Sequence, residues 1–305
     1  MKKKCKVLVT GANGFVGKHL SAALKTHGVI LFQLVHKVTE VSESVFQVDL
    51  TDKQRVLELF ESLQPEYVVH LASNKSRSND AQQFRQIYNM NISMAENVIE
   101  ACQQLNDFKR LISVGTCDEY GLVPTPFKEI QKESPANAYG LSKLATTHML
   151  KTLSHTSDFP SVTLRPSVIY GPGQSDDMFI SAMITTLLTG EVFEMTPGGQ
   201  KRDFIYVSDV VDAIIRVINA NSNINGQVLN IGSGTSVQLA QVATIVANLV
   251  GGEAENNVEL GALQYRPNEV MDYAVDISNA QVILNWTPRV SLEAGLTQTI
   301  KHFNA

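Results

Sequence analysis

One loop near the start of the chain limits the fold more than any other segment: Val7-Leu8-Val9-Thr10-Gly11-Ala12-Asn13-Gly14-Phe15-Val16-Gly17. A short apolar strand pattern over 6–10 leads into it, and a helical pattern over about 14–26 leaves it. Gly11 permits a tight turn, Gly14 lets backbone approach a pyrophosphate, and Gly17 lets the helix close on the strand. The first N–H groups of such a helix, together with its dipole, favour a bound phosphate. Gly11, Asn13, Gly14, Phe15, Val16 and Gly17 are therefore candidate residues for holding a dinucleotide cofactor.

Strand and helix signals then alternate. The near-continuous apolar run at 29–35 suits a strand buried on both faces. Val56, Leu59, Phe60 and Leu63 recur at helical spacing. Strands are predicted at 67–71, 111–114 and 161–164, and helices at 87–102 and 139–153. After Gly171-Pro172-Gly173 the pattern loosens into helices at about 178–188, 207–219, 239–250 and 292–303, with a strand at 227–231. This alternation predicts an α/β fold, a Rossmann-type doubly wound parallel sheet with helices on both sides. The expected division is a cofactor-binding domain over 1–170, which also receives later segments at about 203–232, and a smaller C-terminal α/β lobe over 171–305. A cleft between two such layers is where ligands usually bind.

Composition narrows the class. A hydrophobic fraction of 44% against 18% charged residues describes a chain with a core rather than a disordered one. A net charge of -5 argues against a nucleic-acid partner, which would call for a basic face. The three cysteines are scattered without a CxxC pair, and no histidine forms a close ligand pair, so neither a disulfide framework nor a metal site is expected. The basic start, Met1 to Lys4, precedes too short an apolar run for a signal peptide, and no stretch approaches the ~20 apolar residues of a membrane span. A cytoplasmic enzyme without membrane contact is the expectation.

Two local patterns carry chemistry. Tyr139-Gly140-Leu141-Ser142-Lys143 puts a phenol and an ammonium on one helix face. The lysine charge favours the phenolate and lowers the tyrosine pKa from about 10, which makes Tyr139 a usable acid or base. Leu34-Val35-His36-Lys37, at the end of the second strand, lacks the carboxylate that usually holds the ribose hydroxyls of NAD. His36 and Lys37 would instead attract a 2′-phosphate, so NADP(H) is favoured, with NAD(H) as the alternative.

The glycine loop, a hydroxyl residue after a buried strand and YxxxK occur in an order that resembles the extended short-chain dehydrogenases/reductases. The resemblance is to the NAD-dependent epimerase/dehydratase family, of the nucleotide-sugar 4-ketoreductase or epimerase type, and it covers nearly the whole chain. It implies that Asp49, followed by Leu50, accepts a hydrogen bond from the adenine amino group. His70-Leu71-Ala72-Ser73 resembles the HLAA segment, in which Leu71, Ala72 and Ser73 line the cofactor, and Asn91 matches the asparagine that supports the active site. Ser113 to Gly121 resembles the SS-x-x-x-YG segment. There Thr116 orients the reacting oxygen, with Cys117 and Asp118 beside the substrate. The Asp118-Glu119 pair is shifted by one from the dehydratase position, which argues against elimination chemistry, and Glu119 is expected to face solvent.

Leu164 to Gln174 resembles R-x-x-N-x-Y-G-P-G-Q, with Pro166 and Val168 near the nicotinamide and Ser167, in place of asparagine, near the substrate. Arg202, in Arg202-Asp203-Phe204-Ile205-Tyr206-Val207, and Arg266, in Leu263 to Glu269, match arginines that contact the diphosphate. Leu284-Asn285-Trp286-Thr287-Pro288 resembles the LGW-x-P turn, with Asn285 able to take the left-handed conformation of a helix C-cap. The activity implied is NADP(H)-dependent reduction of the C4 carbonyl of a nucleoside-diphosphate 4-keto-6-deoxyhexose. The alternative is a nucleotide-sugar 4-epimerase with tightly bound NAD, and a non-catalytic cofactor-binding protein ranks third. A homodimer through the helices at 87–102 and 139–153 is also implied.

Overall fold

Buried apolar strands set the centre of the molecule. In the computed structural model, which describes residues 5–37, 42–76, 80–266 and 269–304, β1 (Lys6–Thr10) carries Val7, Leu8 and Val9 wholly out of water. There follow α1 (Phe15–Thr26), β2 (Ile30–Val35), β3 (Val45–Gln47), α2 (Lys53–Leu63), β4 (Tyr67–His70), α3 (Ala81–Gln103), β5 (Arg110–Val114), α4 (Ala138–Ser157) and β6 (Ser161–Pro166). The later half contains β7 (Val168–Tyr170), α5 (Phe179–Leu188), β8 (Phe193–Met195), β9 (Lys201–Arg202), β10 (Phe204–Tyr206), α6 (Val207–Asn219) and β11 (Val228–Ile231). It closes with β12 (Val237–Gln238), α7 (Leu239–Val250), β13 (Val258–Leu260), α8 (Ser278–Leu284) and α9 (Leu292–Phe303). Met1 to Lys4, and Pro267 and Asn268 within the Leu263–Glu269 run, lie outside the described residues.

Seven strands form one sheet in the order β11-β6-β5-β4-β1-β2-β3, every pair parallel. This is the doubly wound α/β arrangement that the alternating pattern predicts. The order reverses between β1 and β4, and a sheet opens a crevice at the carboxyl ends of its strands at such a point. One face is covered by α1, α6 and α8, which bury Leu20, Leu24, Ile214, Val217 and Leu284. The other is covered by α2, α3 and α4, with Val56, Phe60, Val98 and Leu150 in the interface. A further core is built by α5, α7 and α9 around Met183, Ile184, Val242, Val246 and Leu296. Each such side chain contributes about 1.5–3 kcal/mol on leaving water.

Two helix ends lie four or more residues from the sequence expectation. α3 starts at Ala81, because Asp80 caps it by accepting from the N–H groups of Gln82 and Gln83 at 3.1 and 3.0 Å. Its first turn is polar, so apolar periodicity does not reveal it. α4 runs on to Ser157 and ends where Asp158 turns left-handed, at φ 51°. Asn285 adopts φ 48° at the end of α8, as the LGW-x-P resemblance implies. Arg110 ties β5 to the end of α6 by donating to the carbonyls of Val217, Ala220 and Asn221 at 2.6, 3.1 and 2.6 Å, a cation at a helix C-terminus.

Helix α1 closes on the glycine turn after β1 only because position 17 has no side chain. A Cβ there would lie 2.3 Å from the Gly11 carbonyl oxygen and 2.8 Å from Ala12 backbone. Gly17→Ala is therefore expected to lower stability by about 1–3 kcal/mol, as overpacking does. It should also weaken nicotinamide-cofactor binding through the displaced loop. Thermal unfolding and a fluorescence titration check this, and an alanine variant matching the wild type in both would refute it.

Candidate active site

The cofactor side is assembled by backbone contacts between neighbouring strand ends. Gly11 turns at φ +66°, and a Cβ on it would stand 2.9 Å from the Ala72 nitrogen, so the glycine loop lies directly on the segment after β4. The Ala72 N–H donates to Thr10 Oγ1 at 3.3 Å, and the same hydroxyl pairs with His70 Nδ1 at 2.9 Å. Asn13 Nδ2 donates to the Lys37 carbonyl at 3.2 Å and fastens the loop to the end of β2. Gly14 is the N-cap of α1, and no side chain caps that first turn. Phe15 and Val16 open the helix and pack against the C-terminal core. The loop, His36 and Lys37, Asp49 and Leu50, and Leu71 to Ser73 thus stand at the carboxyl ends of β1, β2, β3 and β4.

Their environments suit a dinucleotide. His36 and Lys37 are exposed. The exposed Asp49 carboxylate accepts from the Thr51 N–H and hydroxyl at 2.9 and 2.7 Å. Those bonds, and to a lesser degree His36, hold it below the usual carboxylate range. Leu50 is buried, and its carbonyl accepts from Asn97 Nδ2 at 2.8 Å. Ser73 Oγ is buried without a hydrogen-bond partner among the described residues, a position that a bound ligand would satisfy. The uncapped helix start, the side-chain-free approach at Gly11 and this orphaned hydroxyl together fit a nicotinamide dinucleotide.

The second part of the site lies at the ends of β4 and β5 and the start of α4. Thr116 caps a single 3-10 turn, Cys117–Glu119; its Oγ1 accepts from the Asp118 N–H at 3.2 Å, which leaves the hydroxyl proton to be donated. Asn137 caps α4 by accepting from the Gly140 N–H at 2.8 Å, one residue past Tyr139. A Cβ on Gly140 would stand 2.6 Å from the Asp118 carbonyl oxygen, so this helix start presses on the Thr116 turn. Lys143 is buried and donates from Nζ to the Val114 carbonyl at 2.9 Å. Burial pulls its pKa down to about 8, against the opposing pull of Glu119. Asn91 is buried as well. It donates to Ser142 Oγ at 2.9 Å and to the Asn74 carbonyl at 3.0 Å, and accepts from the Asn74 N–H at 2.8 Å. It braces the segment after β4 against α4.

Glu119 overturns its expectation. It does not face solvent but is wholly buried. Its carboxylate accepts from the Thr116 N–H at 3.0 Å, the Thr147 hydroxyl at 2.8 Å and Arg165 Nε at 2.7 Å, while Arg165 Nη2 reaches Glu133 at 2.8 Å. Motif reading missed this group. The available signal was Arg165 itself, a charge inside an apolar strand, which demands a buried partner.

On the substrate side, Asp118 Oδ1 accepts from the Tyr273 hydroxyl at 2.8 Å, and the Arg202 guanidinium lies 5.6 Å over the Tyr273 ring. Arg202 pairs with Glu269 and donates to the Val270 carbonyl at 2.8 Å. The Glu269 N–H donates to the Arg266 carbonyl at 3.1 Å, so Glu269 touches both arginines, with the Arg266 side chain exposed. Ser167 donates to buried Asp203 at 3.2 Å, an oxygen that also takes the Ser233 N–H and hydroxyl, so its hydroxyl is already engaged. Pro166 ends β6, and the Val168 N–H donates to the Asp203 carbonyl at 3.0 Å. Cys117 is buried inside the 3-10 turn. Among the described residues no cluster of His, Cys, Asp or Glu is placed to hold a metal ion, and no helix is long and apolar enough to cross a membrane.

A glycine-loop dinucleotide cradle joined to a threonine and a YxxxK pair at one sheet edge defines a nicotinamide-cofactor enzyme of the extended short-chain dehydrogenase/reductase class. Residues 7–232 match the NAD dependent epimerase/dehydratase family, and the chain belongs to that family. An uncharacterized UDP-glucose epimerase of Bacillus subtilis, YtcB, is 28% identical over 98% of each chain. The structure of MoeE5 in complex with UDP-glucose and NAD is 30% identical, covers 98% of each chain and superposes with a TM-score of 0.88. That of a UDP-glucuronic acid 4-epimerase from Bacillus cereus, in complex with UDP-glucuronic acid and NAD, is 26% identical and covers 98% of this chain and 99% of its own, with a TM-score of 0.88.

His70, wholly enclosed beside Lys143, has its pKa pulled down to about 3, first by burial and then by the lysine charge. It stays neutral in the folded protein while the unfolded chain takes up a proton below about 6.5. Stability should therefore fall as pH drops from 6.5 towards 3, by roughly 2–3 kcal/mol between pH 6.5 and 4.5. Denaturant unfolding at those two pH values checks this, with His70→Gln expected to lack that share of the loss. An equal loss in both proteins would refute it.

Proposed function

We propose that this chain is a nucleotide-sugar 4-epimerase. The observation that carries the reading is the set of Thr116, Tyr139 and Lys143 at one sheet edge, in a family whose relatives named above are described as UDP-sugar epimerases or hold UDP-sugars with NAD. The bound nicotinamide supplies hydride acceptance and return at C4 of the sugar. Tyr139 takes the C4 hydroxyl proton on oxidation and gives it back once the keto sugar has presented its other face. The Lys143 ammonium favours the phenolate that this exchange requires. Thr116 donates to the C4 oxygen and holds it in line with Tyr139. Arg202 and Arg266 take the diphosphate, a role suited to guanidinium groups, with Cys117, Asp118 and Ser167 near the sugar. Cofactor contacts are assigned to Gly11, Asn13, Gly14, His36, Lys37, Asp49 and Ser73, with Asn91 acting through Ser142. The division into a cofactor domain and a nucleotide-sugar lobe, a dimer through α3 and α4, and a cytoplasmic setting belong to the same reading.

A second reading is the NADP(H)-dependent 4-ketoreductase. No relative named above is described as one. His36 and Lys37 alone favour it, as cations where a 2′-phosphate would lie. Nucleotide released from the purified, denatured protein separates the two: retained NAD indicates the epimerase, and protein free of nucleotide that binds NADP(H) reversibly indicates the reductase. Lys37→Asp should weaken NADPH relative to NADH by roughly tenfold, the scale of one lost charge-assisted contact. An unchanged ratio in a cofactor titration would remove Lys37 from the site.

Tyr139→Phe is expected to fold, bind cofactor and lose about 10²-fold or more in turnover, the usual scale for a lost general acid or base. Thr116→Val should also be impaired, and Thr116→Ser should keep much of the activity. Nuclear magnetic resonance of the interconverting C4 epimers measures this. Wild-type turnover in Tyr139→Phe would overturn the mechanism.

A further inference from the structure

Beneath the reacting groups lies one wholly buried carboxylate that no step above uses. Glu119 and Arg165 are both almost completely enclosed, and the arginine guanidinium sits 4.6 Å over the Tyr120 ring. A carboxylate so enclosed and so fully bonded has no access to a sugar, so it is not a proton donor in turnover. Its bonds point elsewhere. Oε1 accepts from the backbone of Thr116. Oε2 accepts from Thr147, which lies one turn beyond Lys143 and two beyond Tyr139 on α4, and from Arg165 on β6. Gly115 belongs to the same arrangement, because a Cβ there would stand 2.2 Å from Glu119 Oε1. The chain leaves room for this carboxylate beside the residue that carries the reactive hydroxyl.

We propose that Glu119 is a positioning residue of the active site: it clamps the Thr116 turn, strand β6 and the Tyr139–Lys143 helix to one another through a single carboxylate. This rests on the epimerase reading for its kinetic consequence, but not for the clamp itself. The clamp also has an electrostatic consequence. Lys143 is faced by His70 from β4 and by Glu119 from the turn, and Glu119 opposes the effect of burial. Glu119 in turn faces Arg165, whose other partner Glu133 lies 3.5 Å from His148 on α4. The negative charge of Glu119 therefore keeps Lys143 protonated to a higher pH, which preserves the ammonium on the helix that bears Tyr139.

Glu119→Gln keeps the shape and removes the charge. Turnover is expected to fall about 10- to 100-fold, the scale of a misplaced reacting group, with KM close to wild type. The titration midpoint of the Lys143 amine, followed by heteronuclear magnetic resonance, should move to lower pH. Thr147→Val keeps the Glu119–Arg165 pair and cuts only the tie to α4. It should lose about fivefold in turnover, the scale of one hydrogen bond, and Thr147→Ser should restore it. If Glu119→Gln does not fold, the Thr147 pair of variants decides. A folded Glu119→Gln protein with wild-type turnover and an unmoved Lys143 midpoint would overturn the proposal, as would wild-type turnover in Thr147→Val. Should the wild-type protein interconvert no nucleotide sugar, the function reading fails, while the Lys143 midpoint in Glu119→Gln still tests the clamp.

Discussion

The contact between Gly11 and the backbone of Ala72 sits where strand order reverses, and the site depends on it. A parallel sheet directs all its carboxyl ends to one edge, and the reversal between β1 and β4 leaves a crevice there. The glycine turn can lie in that crevice only because nothing projects from Gly11. Thr10 and His70, the last residues of the two strands, then pair side by side. The glycine turn and the segment after β4 are in this way one packed unit. Asn91 extends it to α4 through Ser142, so the helix bearing Tyr139 and Lys143 is set from the same edge.

Burial of charge shapes the chemistry at that edge. An ammonium taken out of water loses solvation and gives up its proton more readily, which brings Lys143 down to about 8. A buried carboxylate is tolerated only with donors around it, and Glu119 has three. Asp203 follows the same rule. It gathers the Ser167 hydroxyl and the N–H groups of Ser233 and Gly234, and still has its pKa raised by burial. Arg202, its neighbour in sequence, faces the other way and meets Glu269. Alternate residues of one short extended segment thus serve packing and the open side.

Much of this is legible in the sequence. The apolar spacing at 207–219, 239–250 and 292–303 marks helices whose ends agree with α6, α7 and α9. The glycine spacing specifies a strand, a turn and a helix because each glycine answers a local steric demand. Asn285 could be read as a C-cap because the left-handed conformation is a property of the residue itself. Less legible were features whose cause lies far along the chain. The start of α3 depends on Asp80 rather than on apolar spacing. The expectation that Glu119 faces solvent fails because its partner Arg165 lies far along the chain.

The sequence alone therefore determined the α/β class, most of the alternation of strands and helices, the glycine turn between β1 and α1, and the placing of Tyr139 and Lys143 on one helix. These follow from periodicity and backbone freedom over a few residues. Only the tertiary structure decided which charges are buried and what each one meets. Glu119 meets Arg165 across 46 residues, Arg202 meets Glu269 across 67, and Asp118 meets Tyr273 across 155. Such pairs form because desolvated charges and hydroxyls must find partners once the layers close, and no local pattern records which partner the closed fold supplies.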